Sequence, residues 1–153
     1  MMHIVLYEPE IPSNTGNISR TCAVTGMTLH LIKPLGFSLA DRYLKRAGLD
    51  YWDKLDLHIH ENLDDFLKAN PGAKIFMFST KAKKNYAECQ YGPDDFLMFG
   101  PETRGIPVEI QQSGIGTPVR IPMGREIRSL NLSNSVAIAA YEALRQQGFP
   151  DLT

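Results

Sequence analysis

IPMGREIRSLNLSNSVAIAAYEALRQQ, residues 121–147, leaves the end of an apolar strand, crosses a polar loop and becomes a long helix. The first two helical turns are apolar nearly all round: Leu132, Val136, Ala137, Ile138, Ala139, Ala140 and Tyr141. A helix apolar on most sides is buried on most sides. In a chain of 153 residues one face is expected on a sheet and another, with Ala139 and Ala140, against a second subunit. Just ahead of these turns stand Ser129, Asn131, Ser133, Asn134 and Ser135. The unpaired N–H groups at a helix start take a cap or a ligand. Five small hydrogen-bonding side chains within seven positions exceed what one cap uses, so the stretch reads as a ligand site.

Outward from this helix, strands and helices alternate. Pro118 to Ile121 reads as the last strand and Pro107 to Ser113 as a short helix. Ala73 to Phe78 and Phe96 to Phe99 are unbroken apolar runs, the pattern of strands buried on both faces of a parallel sheet. Between them KAKKNYAECQYGPD is basic and reads as an exposed loop. Asn62 to Ala69 is a helix capped by Asn62, and Leu55 to His60 alternates as a strand does. Asp41 to Ala47 reads as a short basic helix and Thr28 to Lys33 as the second strand. A helix capped by Ser13 or Asn14 runs to about Thr25 with Gly26 beyond it, and His3 to Tyr7 is the first strand. The fold class is α/β: a mostly parallel sheet with helices on both faces and ligands at the carboxyl ends of the strands. Residues 1–153 read as one domain, without repeat or linker.

Composition narrows the function. A formal charge of −1 gives no global attraction to nucleic acid, so any such partner must meet a local basic patch. Cys22 and Cys89 form no C-x-x-C pair and read as reduced thiols of a cytoplasmic protein. No apolar run is long enough to span a bilayer, and no membrane association is expected. His58 and His60 share a strand face, but no third ligand is placed beside them, so no metal is expected.

Three loops carry the unusual residues. NTGNISR, Asn14 to Arg20, repeats Asn14, Asn17 and Arg20 every third position, as if on one helix face. FGPETRG, Phe99 to Gly105, follows a strand; Gly100 admits close backbone approach, Pro101 stiffens the turn, and Glu102 and Arg104 bring opposite charges that also fit a surface ion pair. The third is the loop and helix start quoted first. Neither G-x-G-x-x-G after the first strand nor G-x-x-x-x-G-K-[ST] occurs, which excludes the usual dinucleotide and P-loop sites.

NTGNISR, LMFGPETRG and IPMGREIRSLNLSNSVAIAAYEALRQ resemble the three signature motifs of the SPOUT RNA methyltransferases. With YEPEIP near the start and RAGLDY at Arg46 to Tyr51, the likeness spans nearly the whole chain. It is strongest to the small bacterial tRNA 2′-O-methyltransferases of the wobble cytidine or uridine. The resemblance implies a C-terminal trefoil knot, although knotted chains are rare exceptions. It also implies a homodimer through the C-terminal helix and S-adenosyl-L-methionine as methyl donor. By motif the cofactor loops are Phe78 to Thr80, Gly100 to Glu102, Ile121 to Met123, and Ser129 with Leu130. Arg20 falls at the family's catalytic arginine, with Asn14, Glu102 and Asn131 in support.

Methyl transfer to a ribose needs a sulfonium donor, a 2′-hydroxyl aligned behind the methyl, and removal of the hydroxyl proton. A guanidinium holds its proton with a pKa above about 12, which makes it a poor base. Arg20 is therefore either the base the family proposes or a group that holds the neighbouring phosphate. For tRNA contact the candidates are Arg42, Lys45 and Arg46, then Lys81, Lys83 and Lys84, then Arg104, Arg125 and Arg128. Two other readings stay open: the same chemistry on another tRNA or rRNA nucleotide, and a catalytically silent RNA-binding dimer.

Overall fold

Six short strands form one parallel sheet in the computed structural model, which describes residues 1–40 and 49–153. In chain order the strands are β1 (His3–Tyr7), β2 (Thr28–Ile32), β3 (Leu57–His60), β4 (Ile75–Phe78), β5 (Phe96–Phe99) and β6 (Thr117–Val119). The helices are α1 (Pro12–Thr25), α2 (Leu63–Ala69), α3 (Val108–Gln111) and α4 (Leu132–Gln146). The expected helix from Asp41 to Ala47, with Arg42, Lys45 and Arg46, lies outside the described residues. The sheet order is β3-β2-β1-β5-β4-β6, with every pairing parallel. The chain moves outward from β1 to one side, then crosses to build the other. Open α/β sheets bind ligands at the carboxyl ends around such a switch point.

Both faces are covered because alternate strand residues are apolar. Ile4, Leu6, Leu29, Leu31, Leu97 and Phe99 pack on one face against Ile18 and Cys22 of α1 and Val136, Ala140 and Ala143 of α4. Val5, Ile32, Met77 and Met98 pack on the other against Phe66 of α2, with Ile106 and Ile110 from the α3 region. Ala139 and Ala140 are 1% and 0% exposed within the single chain. They face the chain's own core, which corrects their expected place against a partner: buried apolar positions of both helices fill one sheet face. The outward apolar residues of α4 are Ile138 and Tyr141.

The segment Lys81 to Asp94 is only partly the open loop expected from its lysines. Ala82, Cys89 and Tyr91 are buried. Gln146 of α4 donates to the Cys89 carbonyl and accepts from the Tyr91 N–H at 2.9 and 3.0 Å, and the Tyr91 hydroxyl donates to the Tyr86 carbonyl. Lysines on its outside carried the composition, while three apolar side chains on its inside decided the packing.

All four histidines gather on the α2 side of the sheet. His3 Nδ1 lies 2.9 Å from His30 Nε2, and His30 Nδ1 lies 2.9 Å from His60 Nε2, forming a chain of three imidazoles. His58 instead bonds Asp56 at 2.9 Å. Burial first, then the neighbouring imidazoles, pushes His30 down to about 3. Burial also lowers His3 and His60. A depressed native value means that the unfolded chain binds the proton first. The stabilisation is complete above the ordinary value of 6.5 and is lost as pH falls from there toward 3. We expect stability to drop by about 2 kcal/mol between pH 7 and 4.5 from His30 alone. Urea midpoints should fall less steeply with pH in His30→Gln; an equally steep fall would assign the acid sensitivity elsewhere.

Candidate active site

The carboxyl ends of β4, β5 and β6, together with the start of α4, enclose a cavity of about 470 Å³. That size suits a small ligand or cofactor. Phe78, Thr80, Gly100, Glu102, Ile121, Met123, Ser129 and Leu130, the eight positions expected at a cofactor, all line it. Asn14 and Asn131 line it as well. Three motifs separated by up to a hundred residues of chain therefore share one cavity.

Gly100 works differently from the expectation of close approach to a ligand. A Cβ there would lie 2.2 Å from the Ile106 nitrogen and 2.3 Å from the Gly105 carbonyl carbon. The loop closes on itself, with the Arg104 and Gly105 N–H groups donating to the Pro101 carbonyl. Gly100 is thus required by the chain's own turn, and that turn aims Glu102 at α1.

The start of α1 is where local reading fails most. Its cap position is Ile11, with Pro12 first in the helix, so neither Ser13 nor Asn14 caps it. The carboxylate of Glu102, from across the fold, instead holds the two residues just ahead of the helix and the Asn14 side chain. Its Oε1 accepts from Glu10 N at 2.8 Å, and its Oε2 from Ile11 N at 2.8 Å and Asn14 Nδ2 at 3.3 Å. A negative group here also suits the positive end of the helix. Glu102 consequently does not pair with Arg104, which reaches Glu8 at 3.3 Å instead.

Asn131 caps α4, its Oδ1 accepting from Ser133 N at 2.9 Å and Asn134 N at 3.3 Å. Its Nδ2 donates to Asn14 Oδ1 at 3.2 Å. Asn131, Asn14 and Glu102 therefore form one hydrogen-bonded chain linking α4, α1 and the β5 loop. This arrangement orients loops; the carboxylate oxygens of Glu102 are already met by three donors. Of the five polar side chains at the start of α4, Asn131 caps the helix and lines the cavity, Ser129 and Ser135 line it too, and Ser133 and Asn134 do not.

Arg20 lies outside that lining and is exposed on α1. Three helical steps fall short of a full turn by about 60°, so Arg20 sits about 120° around the axis from Asn14. Asn14 is buried, while Asn17 and Arg20 face outward, which corrects the expectation of one shared face. Among the expected RNA contacts, Lys81, Arg104 and Arg128 stand at the cavity and are exposed. Arg125, Lys83 and Lys84 are exposed nearby in sequence. Ile11 and Gln111 also line the cavity and were not anticipated. Gln111 donates to the Ile106 carbonyl at 2.7 Å, a contact with no signature in its short helix. Among the described residues no group of three or more His, Cys, Asp or Glu is placed to hold a metal ion. No helix among them is long and apolar enough to cross a membrane.

Comparison with known proteins agrees with this geometry. The chain is 51% identical over 152 residues to the tRNA (cytidine(34)-2′-O)-methyltransferase of Methylovorus glucosotrophus, covering 97% of each. It is 48% identical over 151 residues to the protein of that name from Escherichia coli K12, covering 98% of this chain and 96% of the other. A solved structure concerned with the 2-OH methylation of C/U34 on tRNA superposes with a TM-score of 0.93 at 49% identity, covering 97% of both chains. Residues 1–141, which include all three motif loops and the first turns of α4, match the SpoU rRNA Methylase family, and the chain belongs to it.

Proposed function

We propose that this protein is a tRNA methyltransferase that moves a methyl group from S-adenosyl-L-methionine to the ribose 2′-hydroxyl of the wobble nucleotide, cytidine or modified uridine 34. The observation that carries this reading is the meeting of the three motifs around one cavity. Its walls fit the donor: Phe78, Ile121, Met123 and Leu130 offer apolar surface to an adenine, and loop backbone and small polar groups surround them. When bound, the donor supplies a methyl on a positively charged sulphur. The methyl carbon would pass to the ribose oxygen, the sulphur would keep the electron pair of the broken bond, and the 2′-hydroxyl proton would go to Arg20 in a base role or to solvent water. The chain's own work is alignment, which supplies on the order of 7–11 kcal/mol in favourable cases. Glu102, Asn14 and Asn131 hold the loops in register, and Arg20 meets the substrate. Lys81, Arg104 and Arg128 offer positive charge to phosphates at the cavity mouth. The family's C-terminal knot and a cytoplasmic setting belong to the same reading.

The test is methyl transfer from labelled donor to bulk tRNA lacking the modification, followed by nucleoside mapping. Label at nucleotide 34 is the expected result. Label elsewhere in tRNA or in rRNA would move the substrate, and RNA binding without label would leave a silent module. Calorimetry should give the same donor affinity with and without a chelator, since the cavity is lined without histidine or cysteine. A chelator-sensitive affinity would contradict that.

The reading includes a homodimer through the outer face of α4. Ile138 and Tyr141 are 39% and 43% exposed, and Val24 and Phe149 add further exposed apolar surface. Exposed apolar surface of this kind supports an interface there. Ile138→Glu or Tyr141→Glu should give folded monomers by sedimentation, whereas Ala139→Glu should not fold. An intact dimer in both outer-face variants would displace the interface.

A further inference from the structure

We infer that Glu10 and Thr103 are positioning residues that lock the cofactor-side loop to the start of α1 through a closed ring of hydrogen bonds. This rests on the methyl-transfer reading above. The ring runs across more than ninety residues of chain. The Glu10 N–H donates to Glu102 Oε1 at 2.8 Å, while Glu10 Oε1 accepts from Thr103 N at 2.9 Å and Thr103 Oγ1 at 2.7 Å. Glu102 and Thr103 are adjacent, so each segment both gives and takes. Two bonds in opposite directions fix relative rotation as well as distance, which one bond does not. The Thr103 contacts hold the Glu10 carboxyl below its ordinary range.

The segment being gripped has little slack. Glu8 sits at φ 49°, a left-handed conformation that side chains such as Glu adopt only under constraint. On the other side Gly36 N donates to the Pro9 carbonyl at 2.9 Å, and a Cβ on Gly36 would lie 2.6 Å from the Glu10 carbonyl oxygen. Opposite, the turn at Gly100 is closed on Gly105 and Ile106. Two stiff segments joined by a two-way clasp move as one. A shift of the β5 loop therefore reaches α1, the helix that presents Asn14 inward and Arg20 outward. Both clasp bonds are exposed to water, so their loss costs little stability. Misplacement of about 1 Å, by contrast, can lower turnover on the order of a hundredfold.

Glu10→Ala should lower single-turnover methyl transfer at saturating donor and tRNA by about 10- to 100-fold. Melting temperature and calorimetric affinity for S-adenosylmethionine should stay close to wild type. Glu10→Gln keeps the oxygen that accepts both Thr103 bonds and should stay within about threefold of wild type. Combining Glu10→Ala with Thr103→Val should cost no more than Glu10→Ala alone. A second readout does not need tRNA: S-adenosylhomocysteine should slow hydrogen exchange at the Glu10 and Ile11 amides in wild type but not in Glu10→Ala. Turnover of Glu10→Ala within twofold of wild type, a Glu10→Gln as poor as Glu10→Ala, or an unchanged exchange response would each overturn the inference. Wild-type protein that methylates no tRNA rejects the methyl-transfer reading instead, and the exchange response alone then decides the clasp.

Discussion

Arg20→Ala is expected to lower methyl transfer by at least about two orders of magnitude while leaving the fold and donor affinity near wild type. The size follows from the cost of losing alignment at the reacting atoms. The sparing of the fold follows from its place, exposed on α1 and outside the cavity lining. Arg20→Lys separates two roles. If Arg20 holds a phosphate, the planar fork is needed, and Lys should lose most activity without moving the pH profile of what remains. If it takes the hydroxyl proton, Lys releases its own more readily and should shift the alkaline limb to lower pH. Wild-type turnover in Arg20→Ala would remove both roles. Glu102 would not simply inherit the base function, because three N–H donors already meet its oxygens.

Glu102→Ala is expected to cost both stability and turnover. It removes the acceptor for Glu10 N, Ile11 N and Asn14 Nδ2 at once. Bonds to a charged acceptor contribute about 1.5–3 kcal/mol, and water replaces part of that here, so the net loss should be about 2–3 kcal/mol. In a chain of this length each kcal/mol lowers the melting temperature by roughly 2–4 °C. Glu102→Gln tells scaffold from base. It retains one acceptor oxygen and should keep measurable turnover if Glu102 orients the start of α1. If Glu102 removes the proton, Gln should be as inactive as Ala at full thermal stability. Calorimetric melting beside single-turnover assays of both variants distinguishes these results.

Features that depend on neighbours in the chain were legible from the residues alone. The apolar runs at β4 and β5, the Asn62 cap, and the stop at Gly26 each rest on contacts within a few positions. The three motif loops were also marked, because small, polar and glycine-rich residues beside apolar strands fit a site better than a core. The tertiary structure alone decided how those pieces meet. The acceptor at the start of α1 comes from Glu102, about ninety residues away, and no local pattern announces it. The four histidines become one cluster only through the β3-β2-β1 order and the pairing of His30 with His58. Ala139 and Ala140 turn inward rather than outward because the sheet sets the rotation of α4, and an all-round apolar helix carries no phase of its own. Periodicity states which residues share a face, within the drift of 3.6 per turn; only packing states what that face meets.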